Sequence, residues 1–364
     1  MKYKLSDICE YAKEKIKISA LDENTYISTE NMLPNKGGIT QATSLPAQEH
    51  TQAFMKNDVL VSNIRPYFKK IWFATFDGGC SNDVLVFRAK KGINSRFLHY
   101  VLANDSFFNY SMATSKGTKM PRGDKKAIMA YEVPKLSYKY QVKIAGILEI
   151  IDDKIELNNK INKNLEEQVS ILYQSWFEDF EITNGVCPEN WSYQELSTIA
   201  DIASGKRPPV KSDNCNEKTP ISIVGAASVM GFTSGANHTD KILVTGRVGT
   251  HGVIQRFNTP CWTSDNTLVI TSPYYEFTNQ ILHRIDYSSM NRGSTQPLIT
   301  QGDMKKIVVL VPDEDTLAKF EKFAGSLMAK WEANNNENVK LASLRDTLLP
   351  KLMSGELDVS NLDL

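Results

Sequence analysis

Apolar and polar positions follow a seven-residue period in two stretches of the chain, and the two stretches share one pattern. In the first stretch five residues lie seven positions apart, namely Ile144, Ile151, Asn158, Leu165 and Leu172. The second stretch repeats this row 176 positions later, with an asparagine in the same slot, as Phe320, Leu327, Asn334, Leu341 and Leu348. Rows of this kind predict two long helices with a coiled-coil core.

The two predicted helices cover about 138–180 and about 315–352. A second, mostly apolar row flanks the first one four residues on and consists of Leu148, Ile155, Asn162, Val169 and Trp176. A double row favours a coiled coil over a surface helix. We expect the second helix to be broken at Pro350 and again at Ser354-Gly355, because proline removes a backbone donor and clashes with the preceding turn.

Asn158 and Asn334 interrupt the apolar rows at equivalent positions. An amide in a helix core costs stability unless it finds a partner, and its best-attested use is to fix register and partner choice. In an antiparallel pair within one chain, both asparagines fall near the middle, where they can meet. The alternative is that both rows turn outward there and water solvates the amides.

The segments before the two helices predict mixed α/β structure. In the first, β-rich runs alternate with turns, the runs being Val59-Leu60-Val61, Ile71-Trp72-Phe73-Ala74 and Val84-Leu85-Val86-Phe87, and a helical stretch follows near 95–110. In the second, Ile242–Thr245 and Ser264–Val269 echo Val59–Ser62 and Ser81–Val86. The sequence therefore predicts an α+β fold of two mixed α/β domains in a pseudo-two-fold arrangement, separated by two long helices packed as an antiparallel coiled coil. The boundaries are 1–138, 139–182, 183–314 and 315–364.

Charge and cysteine content exclude several classes of protein. Lys plus Arg and Asp plus Glu both number 42, so the chain as a whole has no basic signature, although a neutral total can hide a basic face. The five cysteines form no C-x-x-C pair, which excludes a common zinc pattern and favours reduced thiols in the cytoplasm. No apolar run approaches ~20 residues, so no membrane span is expected. No motif for a cofactor or a metal is present, and none is expected.

Several motifs of the second half, and weaker versions in the first, resemble those of the specificity subunits of type I DNA restriction–modification systems. In the second half they are Gly246–Gly252, the run Gly293–Pro297 with Asp303 and Val308–Pro312 after it, and the tail Leu344–Leu357. The weaker versions in the first half are Gly117–Pro121 and Leu172–Phe177. The resemblance covers essentially the whole chain. One departure is the run Ser204–Pro209, where the family has a turn of small residues.

This resemblance implies a non-catalytic subunit with two target-recognition domains (1–138 and 183–314) and two helical spacers. Each domain would read one half of a split site in double-stranded DNA. The helices would dock two methyltransferase subunits, and restriction subunits would join the full complex. Independently, matched rows of 28 residues correspond to ~42 Å of helix, which is compatible with two reading domains about one DNA turn (~34 Å) apart.

The loops before the long helices are the first candidates for contact with DNA. Residues 111–126 hold a cluster of cations around one acid, Asp124, and Lys116, Lys119 and Arg122 belong to it. Cations of this kind suit phosphate contact. The matching loop carries side-chain types that bond base edges, and its candidates are Arg292, Ser294, Thr295 and Gln296. Further candidates are Asn63, Arg65, Lys69, Lys206, Arg207, Arg247 and His251. The alternative is that a basic loop is an ordinary solvated surface, and His251 in particular is better explained by a structural role.

Aromatic residues offer a second kind of contact. Tyr67, Trp72, Trp262 and Tyr274 are candidates for stacking on a base, although half-buried strand positions explain them more simply.

Two rival functions remain at this stage. A DNA methyltransferase would need an Asn/Asp-Pro-Pro-aromatic loop, and none is present, since Pro208-Pro209 follows an arginine and precedes a valine. A coiled-coil scaffold without DNA binding agrees with the neutral charge, but a scaffold has no need of two elaborate α/β domains. The salt dependence of DNA affinity separates a scaffold from a DNA-binding protein, because phosphate contacts weaken steeply as the salt concentration rises.

Overall fold

The computed structural model describes residues 2–290 and 298–359, which divide into two compact units. Unit 1 comprises Met1–Asn158 and Asn336–Leu364, and unit 2 comprises Asn159–Asn335. Each unit contains one α/β region and one part of each long helix. We call residues 2–137 the first head and residues 178–313 the second head.

The strands of the first head form two four-stranded sheets and one strand pair. The first sheet has the order β2 (Cys9–Tyr11), β9 (Val84–Ala89), β6 (Val59–Ser62), β7 (Ile71–Phe73), with antiparallel neighbours throughout. The second has the order β3 (Lys15–Lys17), β5 (His50–Phe54), β8 (Gly78–Cys80), β4 (Tyr26–Ile27). Strand β1 (Lys2–Lys4) pairs with β10 (Glu132–Pro134). The three predicted β-rich runs are thereby confirmed as strands β6, β7 and β9.

The second head repeats this plan. Its four-stranded sheet has the order β12 (Asp201–Ser204), β18 (Thr267–Thr271), β15 (Ile242–Gly246), β16 (Gln255–Phe257). A smaller sheet has the order β14 (Val229–Thr233), β13 (Ile221–Val224), β17 (Trp262–Thr263), and β11 (Ser192–Glu195) pairs with β19 (Val308–Val311). The two predicted echoes therefore mark equivalent central strands, β6 with β15 and β9 with β18.

The central strands are apolar at successive positions because both of their faces are buried. In β6, Val59 and Val61 face the core that holds the helices, whereas Leu60 faces a smaller core on the other side. In β15, Leu243 faces the helices and Val244 the opposite core. Full burial of such a side chain stabilises the fold by about 1.5–3 kcal/mol.

Short helices cover these sheets. They are α1 (Leu5–Ile8), α2 (Ser95–Ala103), α3 (Asp105–Ala113), α4 (Lys125–Met129), α6 (Tyr275–Arg284) and α7 (Gln301–Lys305). The single helical stretch predicted near 95–110 is two helices, because Asn104 adopts an extended conformation between them. Its side chain accepts a hydrogen bond from the Ser106 backbone N–H and caps α3.

The long helices are α5 (Tyr138–Phe177) and α8 (Glu314–Ser354). The predicted break at Pro350 is wrong, because α8 continues through it and ends at Ser354. Proline removes one hydrogen bond from the helix, but Leu349, Leu352 and Met353 on the same turns are buried in the core of unit 1. Their burial offsets the missing bond.

In each unit the two long helices pack antiparallel. In unit 1, Asn158 contacts Asn338 and Asp152 contacts Arg345, so numbers fall along α5 as they rise along α8. In unit 2, Trp331 donates its indole N–H to Glu166 at 2.8 Å. Of the predicted core row, Ile144, Ile151, Asn158, Leu165, Phe320 and Asn334 are buried, and Leu172, Leu327, Leu341 and Leu348 are half-buried.

The core asparagines are paired rather than solvated. Asn158 and Asn334 are 0% and 1% exposed, which rules out the outward-facing alternative. In unit 1, Asn158 Nδ2 donates to Asn338 Oδ1 at 2.9 Å. In unit 2, Asn334 Nδ2 donates to Asn162 Oδ1 at 2.8 Å. Because Asn338 lies 176 positions after Asn162, the two pairs are equivalent in the repeat.

The five cysteines are free thiols, as expected. Over the described residues, no helix combines the length and hydropathy that a membrane crossing requires.

Candidate nucleic-acid interface

In the first head, the residue after strand β6 joins three segments. The backbone N–H of Asn63 donates to the Asp83 carbonyl at 2.8 Å, and its carbonyl accepts from the Gly123 N–H at 3.2 Å. The first bond ties Asn63 to the turn before β9, and the second ties it to the end of the loop before α5. The predicted basic loop is thus anchored at the end of the central strand.

The second head contains the same junction. The backbone N–H of Arg247 donates to the Asn266 carbonyl at 2.8 Å, and its carbonyl accepts from the Ile299 N–H at 3.0 Å. Gly123 and Ile299 lie 176 positions apart, which is the offset of the long helices. The two heads therefore repeat a backbone arrangement although their side chains differ.

Close packing at this junction explains why residue 246 is a glycine. A Cβ atom on Gly246, the last residue of β15, would lie 1.8 Å from the Thr250 carbonyl oxygen. The turn after β15 therefore folds back tightly only if residue 246 has no side chain. His251 stands on that turn, and its Nδ1 lies 3.1 Å from the Gly246 carbonyl oxygen, within hydrogen-bond distance.

The basic loop of the first head closes on itself and on the segment after β6. Lys116 and Arg122 exchange two backbone hydrogen bonds, both of 2.9 Å, and the Arg65 N–H donates to the Pro121 carbonyl at 2.8 Å. The loop between them carries Lys119 at its exposed tip. The structure thus brings together Lys116, Lys119 and Arg122 with Asn63 and Arg65.

Two of the loop cations are paired with carboxylates. Lys116 Nζ lies 2.7 Å from Asp124 Oδ2, and the Arg122 guanidinium lies 3.1 Å from Asp83 Oδ1. The bond from Lys116 and the backbone N–H groups of α4 lower the pKa of Asp124 to about 2. These pairs are exposed and weak, so the cations remain available to a phosphate.

Lys69 lies in a different environment. Its Nζ donates to Asp105 Oδ2 at 2.7 Å, at the first residue of α3. Asp105 also pairs with Lys36 at 3.1 Å. Lys69 shares this carboxylate with Lys36. It is therefore better suited to a structural role than the other candidate residues of the first head are.

In the second head, Lys206 and Arg207 are exposed on the run that departs from the family pattern. The Lys206 backbone N–H donates to the Thr263 carbonyl at 2.9 Å, and its carbonyl accepts from the Trp262 indole N–H at 2.7 Å. The run is therefore anchored beside the turn that also holds Arg247. The remaining candidates, Arg292, Ser294, Thr295 and Gln296, lie outside the described residues.

Within the described residues, each head has an arginine without a side-chain partner near the end of its central strand, Arg65 three positions after β6 and Arg247 directly after β15. Arg65 and Arg247 are both half-exposed, and the Nε atom of each is buried without a hydrogen bond to any described residue. Asn63 Oδ1 and His251 Nε2 likewise lack partners within the described ranges. Buried polar atoms are normally bonded, so this concentration of unused bonding capacity is characteristic of a binding site.

Sequence reasoning did not single out Phe68, which lies next to Tyr67 on an exposed 3₁₀ turn, Pro66–Phe68. Tyr67 thereby differs from the half-buried aromatics Trp72, Trp262 and Tyr274. The signal was present in the run Arg65-Pro66-Tyr67-Phe68-Lys69-Lys70, where cations flank two aromatics. Among the residues that the structure describes, no cluster of His, Cys, Asp and Glu suits a metal ion.

Comparisons with known proteins agree with this architecture. Residues 1–167 match the family model for the type I restriction modification DNA specificity domain. The chain is 25% identical over 311 residues to the type I restriction enzyme MjaIX specificity subunit of Methanocaldococcus jannaschii, covering 75% of this chain and 71% of that protein. It is 23% identical over an alignment of 456 positions to the type I restriction enzyme HindI specificity subunit of Haemophilus influenzae, covering 98% of this chain and 99% of that protein.

A solved structure shows the same fold. The type I restriction–modification S subunit from M. genitalium covers 99% of this chain and 96% of its own, with a TM-score of 0.53 at 17% identity. Both relatives are named as specificity subunits of type I restriction enzymes. Along its length the chain is similar to the specificity subunits of type I restriction–modification systems.

Proposed function

We propose that this chain binds duplex DNA in the cytoplasm at a target of two separated halves, and that each head contacts one half. It directs two methyltransferase subunits, and the restriction subunits of the full complex, to that target. The repeated junction carries the proposal, because each head places an arginine without a side-chain partner among the described residues close to the end of the equivalent strand. Arg65 is the third residue after β6, and Arg247 is the first after β15.

The chemistry of the junction suits DNA recognition. Exposed Lys119, Lys206 and Arg207 are suited to phosphate contact, which positions a protein without reading sequence. Arginine is the commonest partner of guanine in the major groove, because its fork bonds O6 and N7 together. Arg65 and Arg247 are therefore assigned the reading of bases, one in each half of the target.

Head-specific variants test this assignment. We expect Arg65→Gln to change the methylation pattern at one half of the target and Arg247→Gln to change it at the other half. Each loss of a bidentate base contact is worth about 1–3 kcal/mol of discrimination. The control is Lys2→Gln, which removes an exposed cation of β1 that pairs with Glu132. Identical effects of both arginine variants on both halves would contradict the assignment.

Exposed apolar residues on the long helices support docking of the methyltransferase subunits. In unit 1, Ile150 and Leu157 lie seven residues apart on α5 and are 61% and 52% exposed. In unit 2, Ile171 on α5 and Phe323 on α8 are also exposed. Exposed apolar residues of this kind are typical of interfaces with other subunits.

Surface substitutions test docking better than truncation, because Leu349 and Leu352 of α8 belong to the core of unit 1. We expect Ile150→Glu with Leu157→Glu to abolish co-purification of the methyltransferase subunit while the melting temperature stays unchanged. Val186→Glu is the matched control, since this exposed valine lies outside both long helices. Normal complex formation by the double variant would refute this docking face.

A further inference from the structure

Two aromatic side chains of the first head are exposed side by side. Tyr67 is 49% exposed and Phe68 is 38% exposed, and their ring centroids lie 4.7 Å apart. Both stand on the 3₁₀ turn Pro66–Phe68, directly after Arg65. Exposed aromatic rings forgo the stabilisation that burial would give the fold. An exposed pair is therefore typical of a surface that binds a partner.

Backbone hydrogen bonds hold this turn firmly. The Phe68 N–H donates to the Arg65 carbonyl at 3.0 Å, which closes the turn. A neighbouring loop braces it, because the Asn35 N–H donates to the Phe68 carbonyl at 2.8 Å and the Lys36 N–H to the Lys69 carbonyl at 2.9 Å. The rings therefore project from a preorganised support.

The turn is also strained. Arg65 and Lys69, which flank it, adopt left-handed conformations with φ of 49° and 50°. Side chains other than glycine rarely adopt this region, and such strain concentrates at functional sites. The chain maintains a costly backbone conformation on both sides of two exposed rings.

The charge around the rings indicates which partner they fit. Lys70 Nζ lies 5.8 Å from the centroid of the Phe68 ring. The basic loop joins the turn through the bond from Arg65 to Pro121, and Lys119 at its tip makes no ion pair within the described part of the chain. Flat apolar faces beside cations match a nucleic acid, which presents bases and phosphates together.

The second head has no counterpart of this pair. The segment after β15 reads Arg247-Val248-Gly249-Thr250-His251-Gly252, with left-handed glycines at Gly249 and Gly252 and no Phe, Tyr or Trp. The junction itself is the same in both heads. The aromatic pair is therefore a feature of one head and not a requirement of the fold.

We propose that Tyr67 and Phe68 form an aromatic wedge that stacks on the bases of an opened step in the half-target bound by the first head. The inference rests on the proposed DNA binding and adds a deformation of the DNA to it. The wedge makes recognition by the first head depend on how easily one base step unstacks, a property that varies with sequence. The second head lacks this dependence.

Fluorescence of 2-aminopurine tests the wedge. The half-target is first located by mapping methylation, and 2-aminopurine is then placed at each of its positions in turn. The probe DNA is bound to the complex of this chain with its methyltransferase subunit. We expect a change of several-fold at one step with the wild-type chain. The combined variant Tyr67→Ala, Phe68→Ala loses this change and binds about tenfold or more weakly.

Controls separate the wedge from DNA binding as such. Tyr193→Ala removes another exposed tyrosine, on β11, and is expected to behave as wild type, whereas Tyr67→Phe retains the signal. Uniform fluorescence in a wild-type complex that prefers its target overturns the wedge but leaves the proposed function intact. Loss of methyltransferase co-purification by the alanine variant, with the fluorescence change retained, also overturns it. A wild-type complex with no preference for the target overturns both.

Discussion

The Arg345 guanidinium donates a hydrogen bond to the Asp152 carboxylate at 2.9 Å within unit 1. Both side chains are largely buried, and the Tyr100 hydroxyl donates to the same carboxylate at 2.8 Å. The repeat places Met328 and Val169 at the equivalent positions of unit 2, where both are buried in the core. The duplicated helix pair thus uses an ion pair in one unit and an apolar contact in the other.

This difference predicts a double-mutant result. Arg345→Val alone leaves a buried carboxylate without its cation, and we expect it to lower the free energy of unfolding by about 3 kcal/mol. Asp152→Met combined with Arg345→Val reproduces the apolar contact of unit 2 and should lie within about 1 kcal/mol of wild type. Urea unfolding of the four proteins measures the coupling. Additive effects of the two single changes would contradict the pairing.

The asparagine pair of unit 2 is predicted to lower the stability of the helix pair and to fix its register. We expect Asn162→Leu with Asn334→Leu to raise the unfolding midpoint, because two leucines pack better than two amides in a helix core. The same change should broaden the range of assemblies, since an apolar seam no longer selects one alignment. Light scattering after size exclusion measures the assembly state. A single species of unchanged mass would count against a role in register.

Glu321 predicts a pH dependence of stability. From α8 its carboxylate accepts backbone N–H bonds at the start of α6, from Phe277 at 2.8 Å and Glu276 at 3.1 Å. Burial raises its pKa to about 7, above the usual 4.5, although these two bonds lower it. Between those pH values the folded chain binds more protons than the unfolded chain, so stability falls as pH rises.

We expect the free energy of unfolding to fall between pH 4.5 and 7 by up to about 3 kcal/mol from this group. Glu321→Gln does not titrate and should remove that part of the slope. Glu189→Gln, a change at an exposed loop position, serves as control. Parallel pH profiles of the wild type and the Glu321 variant would show that this carboxyl does not titrate in the window.

The loop cations predict a change in salt dependence. Each phosphate contact contributes about −0.9 to the slope of log affinity against log salt on B-DNA. We expect Lys119→Gln and Lys206→Gln each to reduce that slope by about one and both together by about two. Lys2→Gln should leave it unchanged. A coiled-coil scaffold without DNA binding would have no such slope in any variant.

Periodicity predicted the parts of the fold that depend on burial. The seven-residue rows identified α5 and α8, and runs such as Val59-Leu60-Val61 identified the central strands, because a buried face needs apolar side chains at fixed spacing. At Pro350 the prediction was wrong, because the local rule that proline breaks a helix predicted an end where α8 continues. The burial of Leu349 and Leu352 in the core of unit 1 is a tertiary effect, which local rules do not contain.

The candidate site was predicted only as a set of residue types. The sequence identified the cations of the loop before α5 and the acid Asp124 among them, but the pairing of Arg122 with Asp83 depends on a contact between distant segments. The same limit applied to Asn158, whose partner Asn338 follows from the stagger of two antiparallel helices. The aromatic turn was predicted in part, since Tyr67 was a candidate and Phe68 was not. Its exposure depends on left-handed residues, which no composition rule predicts for arginine and lysine.

A methylation map of a genome that carries this chain and its methyltransferase tests recognition by two heads most directly. The account predicts modified sites with two short blocks of defined sequence, separated by a constant number of unread bases. It also predicts that exchanging residues 191–312 for those of a relative changes one block and leaves the other and the spacing unchanged. A single uninterrupted motif, or a change in both blocks after the exchange, would contradict it.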